Sequence, residues 1–152
     1  MPRNFWDINY NTTMIIYEKD IQLRVRYKET DQMGVVHHSN YPVYYEYART
    51  ELLREKGFSY KMMEDGGVMM PVREVGMKFL TPARYDDLLT IKVMMHEIKG
   101  ARLRFDHEIR NEAGDLVNTG FVELVFVNAT TRRPCHAPEW FTKLFLASIK
   151  EE

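Results

Sequence analysis

Cysteine is almost missing from this chain: Cys135 stands alone among 152 residues. One thiol closes no internal disulfide, so a hydrophobic core must hold the fold, and the composition fits a reducing compartment. Long apolar runs are missing too, and none approaches the roughly 18 residues of a membrane-spanning helix. The N-terminal dozen residues scatter Arg3, Asn4 and Asp7 among Phe5, Trp6 and Ile8, so they contain no continuous apolar core of a secretory signal. Strong charge of either sign is also absent. The 21 Lys and Arg face 22 Asp and Glu, a net charge of −1. That balance argues against a nucleic-acid binder working by whole-molecule attraction, and leaves any anionic ligand to a local basic patch. No low-complexity segment or domain linker interrupts the chain. These absences predict a cytoplasmic protein with no membrane span, folded as a single domain over residues 1–152. Residues 1–12 read as an irregular lead-in, from which Phe5 and Trp6 could dock on the body or on a partner subunit.

What is present is globular: 45% hydrophobic and 28% charged residues, enough for one core. From Met14 to Tyr27 the pattern alternates, with Ile21, Leu23, Val25 and Tyr27 opposite Gln22, Arg24 and Arg26, as a half-buried strand does. A loop over residues 30–39 follows, and Asn40 or Ser39 is placed to cap a helix that tolerates Pro42 in its first turn. That helix is predicted to run to Lys56, with Gly57 as its C-cap. Tyr41, Tyr45, Ala48 and Leu52 form its apolar stripe, widened by Tyr44, while Glu46 and Arg49 fall outside it and are close enough to pair. A second short helix or a turn, ending in Gly66-Gly67, is expected over residues 58–67.

Four strand-like runs come next: Val68–Leu80, Leu88–Ile98, Arg102–Arg110 and Leu116–Asn128, the last the most apolar and expected to be central and covered on both faces. A terminal helix over Glu139–Ile149 closes the chain. Strand, long helix, four-strand meander and terminal helix predict an α+β fold, an antiparallel sheet of about five strands curled round one helix. The edges of such a sheet favour a homodimer or homotetramer.

The chemistry concentrates in residues 27–57. A loop carrying Asp31 turns at Gly34, passes His37 and His38, and opens the long helix. A carboxylate beside a helix N-terminus suits work on a polarised carbonyl, because free N–H groups there stabilise developing negative charge. Adjacent histidines are wrongly spaced for a metal pair on one helix face, and no Cys or carboxylate cluster completes a ligand set, so no metal or other cofactor is expected.

The run Tyr27-Lys28-Glu29-Thr30-Asp31-Gln32-Met33-Gly34-Val35-Val36-His37-His38-Ser39-Asn40-Tyr41, continued by Tyr44, Glu46, Ala48 and Arg49, resembles the hotdog-fold acyl-CoA thioesterases of the 4-hydroxybenzoyl-CoA thioesterase type. Phe79-Leu80-Thr81-Pro82-Ala83-Arg84-Tyr85-Asp86-Asp87 is similar to the same family's second strand and following turn. The resemblance covers roughly residues 20–140. Where the family often has Asp-Thr-Asp, this chain has Glu29-Thr30-Asp31, which keeps the second carboxylate. Many relatives carry an aromatic residue where His37 stands, which could alter acyl selection.

The resemblance implies hydrolysis of an acyl-CoA or acyl-carrier-protein thioester, with Asp31 as nucleophile or general base. It implies an oxyanion site near His38, supplied by the backbone N–H, and substrate contacts at Gly34, Val36, His37, Tyr41 and Arg84. For coenzyme A phosphates the chain offers Arg84, Arg102, Arg104, Arg132 and Arg133, and for the acyl group the Met62, Met63, Met69 and Met70 segment. Two alternatives stay open: a non-catalytic acyl-thioester-binding protein, and a hydratase or dehydratase on the same fold.

Overall fold

A computed structural model describes residues 8–150, with side chains described up to residue 146. The expected docking of Phe5 and Trp6 lies outside the described residues. The elements are β1 (Ile15–Arg24), α1 (Tyr41–Glu55), α2 (Tyr60–Asp65), β2 (Val68–Met69), β3 (Val72–Phe79), β4 (Leu88–His96), β5 (Arg102–Arg110), β6 (Leu116–Val125), β7 (Val127–Asn128) and α3 (Glu139–Lys150). Three single 3-10 turns intervene, at Tyr10–Thr12, Tyr27–Glu29 and His38–Asn40. This is the α+β hotdog arrangement, a five-stranded antiparallel sheet round α1.

Two predicted strands are shorter than their patterns suggest. β1 stops at Arg24, because Val25 exchanges backbone bonds with Asp86 and Asp87 and the chain then enters the 3-10 turn. Tyr27 is therefore not a core residue; it is 78% exposed. The Val68–Leu80 run breaks into β2 and β3 at Pro71, which has no N–H for a ladder. β2 pairs instead with β7 in a separate two-stranded ribbon.

Strand order departs from the expected meander. It is β1-β4-β5-β6-β3, so β4, β5 and β6 follow one another but β3 crosses to the far edge and pairs with β6. The central strand is β5, not the more apolar β6. β5 qualifies despite its charges because Arg102, Arg104, Asp106 and Glu108 alternate with Leu103, Phe105, His107 and Ile109, which face the core. α3 lies along β1 at the opposite edge, with Phe145 against Tyr17 at 6.3 Å.

The predicted α1 stripe is buried: Tyr41, Tyr45, Ala48 and Leu52, widened by Tyr44, pack into the core, and Leu53 joins them. Arg49 is the exception. It is buried rather than outside the stripe, forms no ion pair with Glu46 among the described residues, and its Nε has no hydrogen-bond partner there. Beside it, the His107 ring stacks flat on Tyr45, with centroids 4.1 Å apart, and the Tyr45 hydroxyl donates to Oδ1 of Asn118. Burial, followed by the Arg49 charge, pushes His107 down to about 3, so the ring is neutral in the folded protein.

Candidate active site

The loop between β1 and α1 is a small backbone-bonded hairpin. The Asp31 N–H donates to the Val35 carbonyl at 2.8 Å, the Gly34 N–H donates to the Asp31 carbonyl at 2.9 Å, and Thr30 bridges to Val36. Gly34 has φ 79°, in the left-handed region where glycine alone carries no steric penalty. The hairpin is fastened to the turn after β3, where Val35 bridges to Arg84 and the Val36 N–H donates to the Ala83 carbonyl at 2.8 Å. Two segments about fifty residues apart in sequence thus form one unit.

Asp31 uses one oxygen structurally. Its Oδ1 accepts from the N–H groups of Met33 at 2.8 Å and Val35 at 3.4 Å, a turn-capping habit of Asp. Among the described residues, nothing bonds Oδ2. Asp31 lines a cavity of about 300 Å³ with Val36, His38, Tyr41, Phe79 and Leu80. Phe79 is the main wall, meeting Tyr41 edge-on at 5.4 Å and His38 at 6.5 Å. One carboxylate therefore faces a mostly apolar slot.

The entry to α1 differs from the predicted cap. Asn40 occupies the N-cap position but makes no cap bond; its side-chain amide donates to the carbonyls of Glu29 at 2.9 Å and His37 at 3.3 Å. The capping side chain is His37, one 3-10 turn earlier, whose Nδ1 accepts from the Ser39 N–H at 3.2 Å. Among the described residues no acceptor takes the His38 N–H. That leaves a donor at the cavity, where the helix N-terminus carries partial positive charge.

Of the predicted site residues, Asp31, Val36, His38 and Tyr41 line the cavity, while Gly34, His37 and Arg84 flank it. Gly34 makes the turn, His37 caps, and the Arg84 guanidinium comes within 3.9 Å of where a Gly34 Cβ would stand. The candidate phosphate patch shrinks. Arg102 is buried 3.6 Å from Glu123, and Arg104 bonds Asp106 at 2.8 Å and lies over the Phe121 ring at 4.1 Å. Arg84, Arg132 and Arg133 remain exposed.

Glu29 is the residue that sequence reasoning undervalued. Its carboxylate is buried and accepts from the Arg26 N–H at 2.7 Å, the Arg26 guanidinium at 3.0 Å and the Tyr44 hydroxyl at 3.1 Å. Its carbonyl accepts from the His37 N–H at 2.9 Å. One residue thus ties the Asp31 loop to both α1 and the turn that opens it. The legible signal was spacing: Glu29 sits three residues after Arg26 and ahead of a tyrosine-rich helix. Burial alone would raise its pKa, but the Arg26 N–H, the Arg26 guanidinium and Tyr44 outweigh it and hold the carboxyl below its ordinary value. Its stabilisation is therefore complete above the ordinary carboxylate value of 4.5 and lost as pH falls through the lower folded value. Glu29→Gln is expected to cost about 1.5–3 kcal/mol at neutral pH. Thermal melts of both proteins should converge in acid; equal melting at neutral pH would remove Glu29 from this role.

The family model described as the thioesterase-like superfamily matches residues 25–145. The acyl-CoA thioester hydrolase YbgC of Escherichia coli is 35% identical over 129 residues, covering 85% of this chain and 93% of the relative. The acyl-CoA thioesterase YbgC of Haemophilus influenzae is 30% identical over 119 residues, covering 77% and 86%. Among solved structures, a DHNA-CoA thioesterase from Staphylococcus aureus superposes with a TM-score of 0.78 at 29% identity, over 88% of this chain and 89% of that one. The hairpin, the cavity, α1 and four of the five strands of the sheet lie within the matched span, and the chain belongs to the thioesterase-like superfamily.

Proposed function

We propose that this protein hydrolyses acyl-CoA thioesters, releasing a free acid and coenzyme A, with Asp31 driving the attack. The supporting observation is a carboxylate with one oxygen unengaged, in an apolar slot, beside the unbonded His38 N–H at the entry to α1. As general base, Asp31 would take a proton from water as the water attacks the thioester carbon. As nucleophile, it would form an anhydride that water then cleaves. In both routes the carbonyl oxygen gains negative charge, which the helix N-terminus is suited to meet. The leaving thiolate takes up a proton.

The exposed Arg84, Arg132 and Arg133 favour a phosphate-bearing carrier. Coenzyme A fits this, and an acyl carrier protein presents the same thioester on a protein. The unpaired edge of β3 carries exposed Val72, Val75 and Phe79, continuous with Val43 and Tyr47 of α1, a face suited to a homodimer.

The test is free-thiol release by the purified protein across aromatic, short-chain and long-chain acyl-CoAs. Turnover of at least one class is expected. Tight binding without turnover would make it an acyl-thioester-binding protein, and water addition to an enoyl-CoA would make it a hydratase.

A further inference from the structure

The His38 N–H shares one peptide group with the His37 carbonyl. Among the described residues no peptide bond is cis. In a trans peptide the N–H and the C=O point in opposite directions, so whatever holds the carbonyl also aims the donor. The His37 carbonyl is held twice, by the Asn40 N–H at 3.0 Å and by the Asn40 side-chain amide at 3.3 Å. The same amide donates to the Glu29 carbonyl at 2.9 Å, and the His37 N–H donates to that carbonyl as well. One asparagine side chain therefore fastens the peptide to the buried Glu29. The His38 N–H is left on the opposite edge of the peptide plane, unbonded among the described residues.

The His37 ring adds a second constraint. Its Nδ1 lies 3.2 Å from the Ser39 nitrogen and 2.8 Å from the Ser39 Oγ. A backbone N–H only donates, so Nδ1 offers its lone pair, and the neutral ring carries its proton on Nε2. A proton on Nδ1 sets donor against donor there. The Ser39 hydroxyl can rotate to accept it, but the Ser39 N–H then loses its acceptor. The ring is not part of the cavity lining. It stacks on the His38 ring, with centroids 4.2 Å apart and 31° between the planes, and His38 in turn meets Phe79. His37 thus acts on the site through the backbone, without touching an acyl group.

The titratable and charged groups set round this turn come from every side. His38 lies beside the ring, Glu29 and Asp31 precede it in the chain, α1 brings Tyr41 and Tyr44, and Arg84 follows β3. The Glu29 carboxylate is engaged by Arg26 and Tyr44, and β3 brings the uncharged Phe79.

We propose that Asn40 and the neutral His37 ring are positioning residues for the oxyanion donor: they clamp the peptide between His37 and His38 so that its N–H meets the thioester oxygen, and protonation of His37 releases the clamp. The donor's purpose rests on the thioesterase reading, whereas the clamp is a property of the folded chain alone.

Long-range proton–nitrogen NMR of the whole protein reads the clamp without substrate. Above about pH 8, where imidazoles are neutral, His37 should show its proton on Nε2 and an accepting Nδ1. A neutral ring protonated on Nδ1 overturns the clamp. Turnover is then followed with benzoyl-CoA, butyryl-CoA and dodecanoyl-CoA, using the fastest. Asn40→Ala should lower kcat at least about tenfold, short of the 10²–10³-fold for outright loss of an oxyanion donor, with KM within about threefold. Asn40→Asp, whose carboxylate donates to neither carbonyl, replaces it if Asn40→Ala does not fold. His37→Ala should lose a similar factor, and His37→Asn should restore most of it, because an asparagine oxygen caps the same N–H without taking up a proton. Wild-type kcat should fall as pH drops from about 8 to 5, the range in which imidazole gains its proton. His37→Asn should lack that fall, and His38→Phe should keep it. Full kcat in Asn40→Ala and His37→Ala, or losses confined to KM, overturn the positioning role. An acid fall that survives in His37→Asn, or vanishes in His38→Phe, overturns release by protonation. A wild type that shows the clamp by NMR but releases no thiol sinks the thioesterase reading, and with it the donor's purpose.

Discussion

Asp31→Asn is expected to lower kcat for acyl-CoA hydrolysis by about 10²–10⁴-fold, the usual worth of a positioned proton-transfer group. The fold should survive. The turn-capping bonds from Met33 and Val35 go to Oδ1, and an asparagine carbonyl oxygen accepts both. What is lost is the charge on Oδ2, which nothing among the described residues uses for structure. Melting temperature and acyl-CoA affinity should therefore stay near wild type while turnover collapses. Wild-type turnover in a purified Asp31→Asn protein would refute Asp31 as the reacting group. Single turnover in heavy-oxygen water then separates the two routes. A nucleophile leaves label in Asp31 when water attacks the aspartyl carbonyl, and a general base never does.

Gly120→Ala is expected to destabilise the fold by about 3 kcal/mol, the upper end for overpacking. A Cβ at this position on β6 would collide with the Gly76 carbonyl oxygen and the Tyr45 hydroxyl, and would stand 2.9 Å from the Met77 Cβ. The Gly76 oxygen is backbone in the neighbouring strand, and Tyr45 is held by its bond to Asn118 and its stack on His107. None of these can step aside, so α1 would have to lift from the sheet. For a chain of this length the loss corresponds to about 6–12 °C in melting temperature. Gly76→Ala is the control. The three atoms nearest its Cβ all belong to the Phe121 ring, a side chain that can turn, so about 1 kcal/mol is expected. Equal melting of Gly120→Ala and wild type would mean that the sheet yields where it looks tightest. Since α1 carries the candidate site at its N-terminus, Gly120→Ala should also lower turnover.

Much of the candidate site was legible because it is local. Asp31, Gly34 and the start of α1 fall within one short stretch, and the chemistry of a carboxylate, a tight turn and free helix N–H groups depends on neighbours in sequence. The same holds for Gly57 closing α1 and for the breaks at residues 81–84 and 111–115. Errors arose where a residue's partner is distant. Arg49 was placed on the solvent side by helical spacing, yet the sheet reaches round far enough to bury it. Arg102 and Arg104 looked free for phosphate until Glu123 and Asp106 came beside them.

Sequence alone determined the class of fold, the single long tyrosine-rich helix, and the loop turning at Gly34 that carries Asp31 ahead of it. Those follow from periodicity and turn chemistry, which act over a few residues. Only the tertiary structure decided that β3 crosses to the sheet edge, that Phe79 and Leu80 wall the cavity beside Asp31, and that Glu29 is the buried clasp between loop and helix. Strand order and burial are set by contacts between segments far apart in the chain, where hydrophobic pattern fixes which face is buried but not which neighbour buries it.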